Sequence, residues 1–131
     1  MKKYLIILLG MLFLFVGCSG SKSESYEIAG KEFQLIDSAK EDPITLGFDK
    51  EKYFGFSGVN RYFGTYTQEK SKLKLSPAAS TLMAGPQELM EKESDYLKTL
   101  STVDEFKLVD KDLTLMSQGK DVLKFKQIEN K

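Results

Sequence analysis

Residues 55–67 read GFSGVNRYFGTYT. Glycines, an asparagine and an arginine set among aromatics admit two readings: a glycine-rich loop around a ligand, or a corner of a β-sheet. A phosphate-cradling loop needs Gly-x-Gly-x-x-Gly or Gly-Lys-Ser/Thr opening onto a helix. Neither pattern occurs in this stretch. The flanking residues alternate instead. Phe54 and Phe56 share one face of a strand, and Tyr53, Gly55 and Ser57 the other. Gly58 and Asn60 are residue types that tolerate positive φ in a tight turn. Gly55 and Gly64 are expected at bulges or bends where the sheet curves. The stretch therefore reads as a hairpin corner of a curved sheet.

The same period of two extends in both directions. Phe33 and Leu35 alternate with Glu32, Gln34 and Ile36, and Ile44 to Phe48 follows the turn signal Asp42-Pro43. Lys70, Lys72 and Lys74 alternate with Ser71, Leu73 and Leu75, which places the lysines on the wet side of a strand. Phe106 and Leu108, Leu113 and Leu115, then Leu123 and Phe125 are separated by short polar turns, the pattern of an antiparallel meander. One segment differs. Pro86 to Leu100 has helical spacing, with Leu89, Tyr96 and Leu100 on one face. Pro86 suits the first helical position, with Gly85 before it. Glu88 and Glu91 complement the positive end of that helix, and Lys98 the negative end. One helix cannot cover both faces of a sheet of about seven or eight strands. The expected fold class is α+β, mostly β: a bent antiparallel sheet or partial barrel packed against one helix over about residues 86–100.

The chain of 131 residues begins MKKYLIILLGMLFLFVGCSG. Lys2 and Lys3 precede an apolar run, Tyr4 to Val16, that is short of the ~20 residues needed to span a bilayer. Its length and flanks suit the hydrophobic region of a signal peptide. Leu14-Phe15-Val16-Gly17-Cys18 is similar to the lipobox of bacterial lipoproteins, with Phe15 where Leu is usual. That resemblance implies cleavage before Cys18 and acylation of its sulfur and amine. Cys18 is the one cysteine of the chain, so no internal disulfide is possible. Acyl chains would anchor the protein without a transmembrane helix. In a Gram-negative cell, Ser19 after the cysteine resembles the outer-membrane sorting pattern. The expected organisation is a lipoprotein signal peptide at 1–17, a lipidated N-terminus and polar tether at 18–29, and one domain at 30–128. Removing residues 1–17 leaves 114 residues and shifts the balance from 19 basic against 19 acidic to 17 against 19. No basic excess is available to hold nucleic acid.

GFSGVNRYFGTYT, STLMAGP at 80–86, Glu93-x-x-Tyr96-x-x-x-Leu100 and the Leu-x-Leu strand at 113–115 together resemble the META/HslJ domain, from about Gly30 to Ile128. Members are small bacterial envelope proteins, often lipoproteins, built as a bent antiparallel sheet or partial barrel against a helix. They are associated with stress response and antibiotic tolerance and have no established enzymatic reaction. The resemblance implies a lipid-anchored, non-catalytic binding or scaffolding protein with envelope proteins as partners. Many members carry Trp where this chain has Phe33, and Cys where it has Val59 and Gly85. The disulfide that some members form is therefore absent, and apolar packing is expected to close that junction.

The chain has no histidine, and with one cysteine it holds no Cys/His metal constellation and no Ser-His-Asp or Cys-His nucleophile. No catalytic residue, metal site or cofactor is expected. Glu88, Glu91, Glu93 and Asp95 are spread around the helix. Glu93 lies on the apolar stripe, where a carboxylate needs water, a cation or hydrogen-bond donors. Two readings stand. Glu93 meets Asn60 or Arg61 at the rim of a ligand or partner groove, or it fastens the glycine-rich turn to the helix. The aromatic set Phe54, Phe56, Tyr62, Phe63 and Tyr66 also has alternatives. These rings line a barrel cavity for a small apolar or lipid-like ligand, fill the core, or present a partner surface.

Overall fold

The computed structural model describes residues 23–38 and 40–129. The expected signal segment 1–17, the lipidation site Cys18 and Ser19 lie outside the described residues. Among the described residues no helix is long and apolar enough to cross a membrane.

Alternating apolar residues form the strands where the period of two places them. β1 (Glu24–Ser25), β2 (Glu32–Leu35), β3 (Thr45–Phe48), β4 (Lys52–Phe56), β5 (Arg61–Glu69), β6 (Lys72–Leu75) and β7 (Ala79–Ser80) precede the helix α1 (Gln87–Leu100). β8 (Glu105–Val109), β9 (Asp112–Ser117) and β10 (Lys120–Ile128) follow it as the meander. Every pairing is antiparallel. Eight strands run β2-β3-β4-β5-β6-β8-β9-β10 and return to β2, so the bent sheet closes into a barrel, with β1 and β7 as extra strands. β10 closes onto β2 from Phe125↔Leu35 to Ile128↔Glu32. The opposite seam is thinner. β6 meets β8 at Lys72↔Glu105, with Leu73 N–H to Asp104 O at 3.1 Å and Phe106 N–H to Ser71 O at 2.9 Å.

The barrel interior holds large apolar side chains. Phe33, Leu46, Phe48, Phe106, Leu113 and Phe125 are all buried within it. Phe48 packs edge-to-face on Tyr66 with ring centroids 5.1 Å apart. The helix plugs one mouth. Tyr96 sits 5.7 Å from the ring of Tyr62 on β5 and 6.4 Å from Phe125 on β10. Those two strands are four places apart in either direction around the ring, so this single side chain reaches opposite walls. A ligand inside the barrel would have to displace these rings.

Three local expectations change. Pro86 stands one place before the first helical residue, as N-cap, and its carbonyl accepts the first helical bond from Met90 N–H at 3.0 Å. Gly64 marks no bulge, since Tyr53↔Gly64 is a regular pair. Glycine is required there because a Cβ would lie 2.6 Å from the Tyr53 ring. The register shift falls instead between Asp121 and Leu123. The folded part also begins before Gly30. Glu24 and Ser25 pair with Val109 and Leu108, and Ile28 is buried in the core. Main-chain pairing needs no apolar side chain, so the polar composition of this segment did not reveal it.

Candidate functional site

The corner at 57–60 joins β4 to β5. Ser57 N–H donates to Asn60 O at 2.9 Å, and Gly58 takes φ +104°, closed to most L-residues. Asn60 has no positive φ. Its side chain is there for hydrogen bonding, and the partner is Glu93, in the middle of α1 and 5 % exposed. Asn60 N–H donates to Glu93 Oε1 at 3.1 Å, and Asn60 Nδ2 to Oε2 at 3.0 Å. The hydroxyl of Ser57 donates to Oε1 as well. All three donors are neutral, and together they satisfy a buried carboxylate that would otherwise be costly.

Asn60 also holds the segment before the helix. Its Oδ1 accepts from Met83 N–H at 2.6 Å and from Thr81 Oγ1 at 2.9 Å, while Nδ2 reaches Met83 O at 3.3 Å. Beside it, Val59 packs on Gly85, where a Cβ would stand 3.0 Å from both Val59 methyl groups. Apolar contact thus closes the junction between Val59 and Gly85. One turn further along α1, the Tyr96 and Tyr62 hydroxyls are 2.6 Å apart, and Tyr62 donates to Thr45 O. Burial holds both phenols well above the ordinary tyrosine range. Among the described residues, no buried side-chain polar atom lacks a partner.

The expected site residues are therefore distributed on both sides of the wall. Asn60 and Glu93 meet inside. Arg61 faces outward, with its N–H on Thr81 Oγ1 at 3.2 Å and its side chain near Phe56 and Phe63. The aromatic set divides in the same way: Tyr62 and Tyr66 point in, while Phe54 and Phe63 point out. Phe54 pairs across the strands with Phe63, and Phe63 is 55 % exposed. Leu82 and Met83 are exposed too, at 96 % and 65 %. The sequence reading missed Ser57 and these two residues. Ser57 was legible as the inward neighbour of Tyr53 and Gly55. Leu82 and Met83 were legible as adjacent large apolar residues in an otherwise small, polar stretch.

The model of one protein family, the META domain, matches residues 21–130. Among curated proteins no match is found. Two solved structures share the fold. A protein from Burkholderia xenovorans determined by NMR superposes with a TM-score of 0.68 at 23 % identity, over 79 % of this chain and 85 % of that one. A second NMR structure gives a TM-score of 0.57 at 20 % identity, over 73 % and 87 % of the two chains.

Proposed function

The chain belongs to the META domain family, and from that premise we propose that it is a lipid-anchored protein of the bacterial cell envelope. In this reading it binds or scaffolds other envelope proteins under envelope stress or antibiotic exposure and carries out no chemistry of its own. Acylated Cys18 holds it at the membrane, on the periplasmic face of the outer membrane in a Gram-negative cell. The observation that carries the binding role is the fixed, exposed loop at 82–83. Asn60 clamps both the N–H and the C=O of Met83 from inside, so Leu82 and Met83 are presented to solvent on an anchored backbone. Ordering such a loop in advance lowers the entropy lost when a partner docks. Phe54 and Phe63 add exposed aromatic surface, a composition enriched at interfaces. The absence of catalysis is supported by the chain's lack of histidine and by the use of Glu93 as a structural acceptor.

Two measurements test this reading. Cys18→Ser should release the protein from membranes and abolish fatty-acid labelling; a labelled, membrane-bound variant would refute the anchor. A photo-crosslinking residue placed at Met83 in cells should capture a defined set of envelope proteins. The same probe at exposed Lys124 on the barrel wall should not. Equal capture at both positions would sink the partner surface.

A further inference from the structure

We propose that the groove between helix α1 and the end of β2 binds a small organic cation with an apolar body. The groove has a volume of about 340 Å³, inside the range of small-molecule sites, ~300–1,000 Å³. Leu35, Ile44, Leu89 and Leu123 contribute apolar surface to it. Asp37, Asp42 and Asp95 are among its lining residues. The one lysine of the lining, Lys92, has its Nζ 3.5 Å from the carboxylate of Glu88. Among the described residues the lining thus carries three acidic side chains and one basic one, the basic one beside Glu88. No ion pair among the described residues involves any of the three aspartates.

Asp37 takes φ +72°, and the turn that carries it is pinned by Ser38, whose hydroxyl donates to Leu35 O at 2.8 Å. The facing wall is helix, with Leu89, Lys92 and Asp95 at spacings that bring them to neighbouring positions on its surface. Among the described residues no group of three or more carboxylates is close enough to hold a metal ion. The negative charge is spread along the lining, which suits an organic ammonium lying at the edge of an apolar body. The floor supplies most of the attraction and the carboxylates select the sign of charge. This inference is independent of the partner surface, which rests on the loop at 82–83 and the outer aromatics.

The test uses the full chain in lipid nanodiscs, with empty nanodiscs as the blank, and follows amide shifts by two-dimensional NMR. Three probes share one apolar body: phenylbutylamine, phenylbutanol and phenylbutyrate. The amine should bind most tightly and the carboxylate least, with shifts concentrated at Ile36, Ser38 and Leu89. Replacing Asp37, Asp42 and Asp95 together by asparagine should weaken the amine about tenfold and leave the alcohol unchanged. Leu89→Ser should weaken all three probes. If the triple variant fails to fold, Asp95→Lys, at an exposed position, reads the same selectivity for the amine. The proposal is overturned if the carboxylate binds as well as the amine or if the shifts map to the outer aromatics. Dimerisation that covers the groove, or no saturable shift with any probe, overturns it equally.

Discussion

Glu93 is held by neutral donors alone, and that makes its chemistry specific. Oε1 accepts from the Ser57 hydroxyl and Asn60 N–H, and Oε2 from Asn60 Nδ2. Glu93→Gln preserves the shape but must aim an amide N–H₂ at a donor. Asn60 cannot answer by turning its own amide, because Oδ1 already accepts from Met83 N–H and Thr81. The variant should lose about 2 kcal/mol, read as a lower urea midpoint with an unchanged far-ultraviolet spectrum. A loss below ~0.5 kcal/mol would show that the carboxylate is not what secures the corner. The sequence placed Glu93 on an apolar stripe and so demanded partners for it. It offered Asn60 or Arg61 and left the choice open, and it did not offer Ser57, which is 36 positions away along the chain. Asn60 and Arg61 are neighbours in sequence, yet Asn60 turns inward at the corner while Arg61, the first residue of β5, faces out.

The corner, the loop before the helix and α1 act as one unit, tied by Asn60 and closed by Val59 on Gly85. A Cβ at Gly85 would lie 3.6 Å from that of Val59, close to the ~3.8 Å typical of a disulfide. Val59→Cys combined with Gly85→Cys should therefore oxidise spontaneously, leave no titratable thiol at either site, and stabilise the protein by about 3 kcal/mol. Persistent thiols under air would mean that the two segments are held further apart. The helix itself was legible, since its stripe of Tyr96 and Leu100 follows from spacing alone. β1 was not, because a two-residue strand of Glu24 and Ser25 pairs through its main chain and carries no apolar signature. The closure of the barrel was hidden for a related reason. The Lys72↔Glu105 seam depends on two strands separated in sequence by the entire helix.

Across the barrel, the buried phenols of Tyr62 and Tyr96 couple stability to pH. Burial raises both above the value of 10.0 expected when exposed. Below that value both states keep their protons and the stability is fully present. Above it the unfolded chain releases protons that the barrel retains, so stability falls as pH rises, by about 1.4 kcal/mol per pH unit for each retained proton. The urea midpoint should be insensitive to these groups below about pH 9 and decline steeply above about pH 10. Tyr62→Phe and Tyr96→Phe, each less stable at neutral pH, should flatten that decline. A slope unchanged in the double variant would place the alkaline loss elsewhere.

The period of two along the strands, the helix between them and the glycine-rich corner were all determined by neighbours in the chain, because a strand or helix sets its faces with residues a few positions apart. The wall's inside and outside, the choice of Asn60 over Arg61 and the addition of Ser57 as partners of Glu93, and the charged groove beside α1 were decided only by tertiary structure. Each depends on contacts between segments far apart in sequence, such as Tyr62 with Tyr96, 34 residues on. Such contacts exist only once the ring has closed and the helix has filled its mouth.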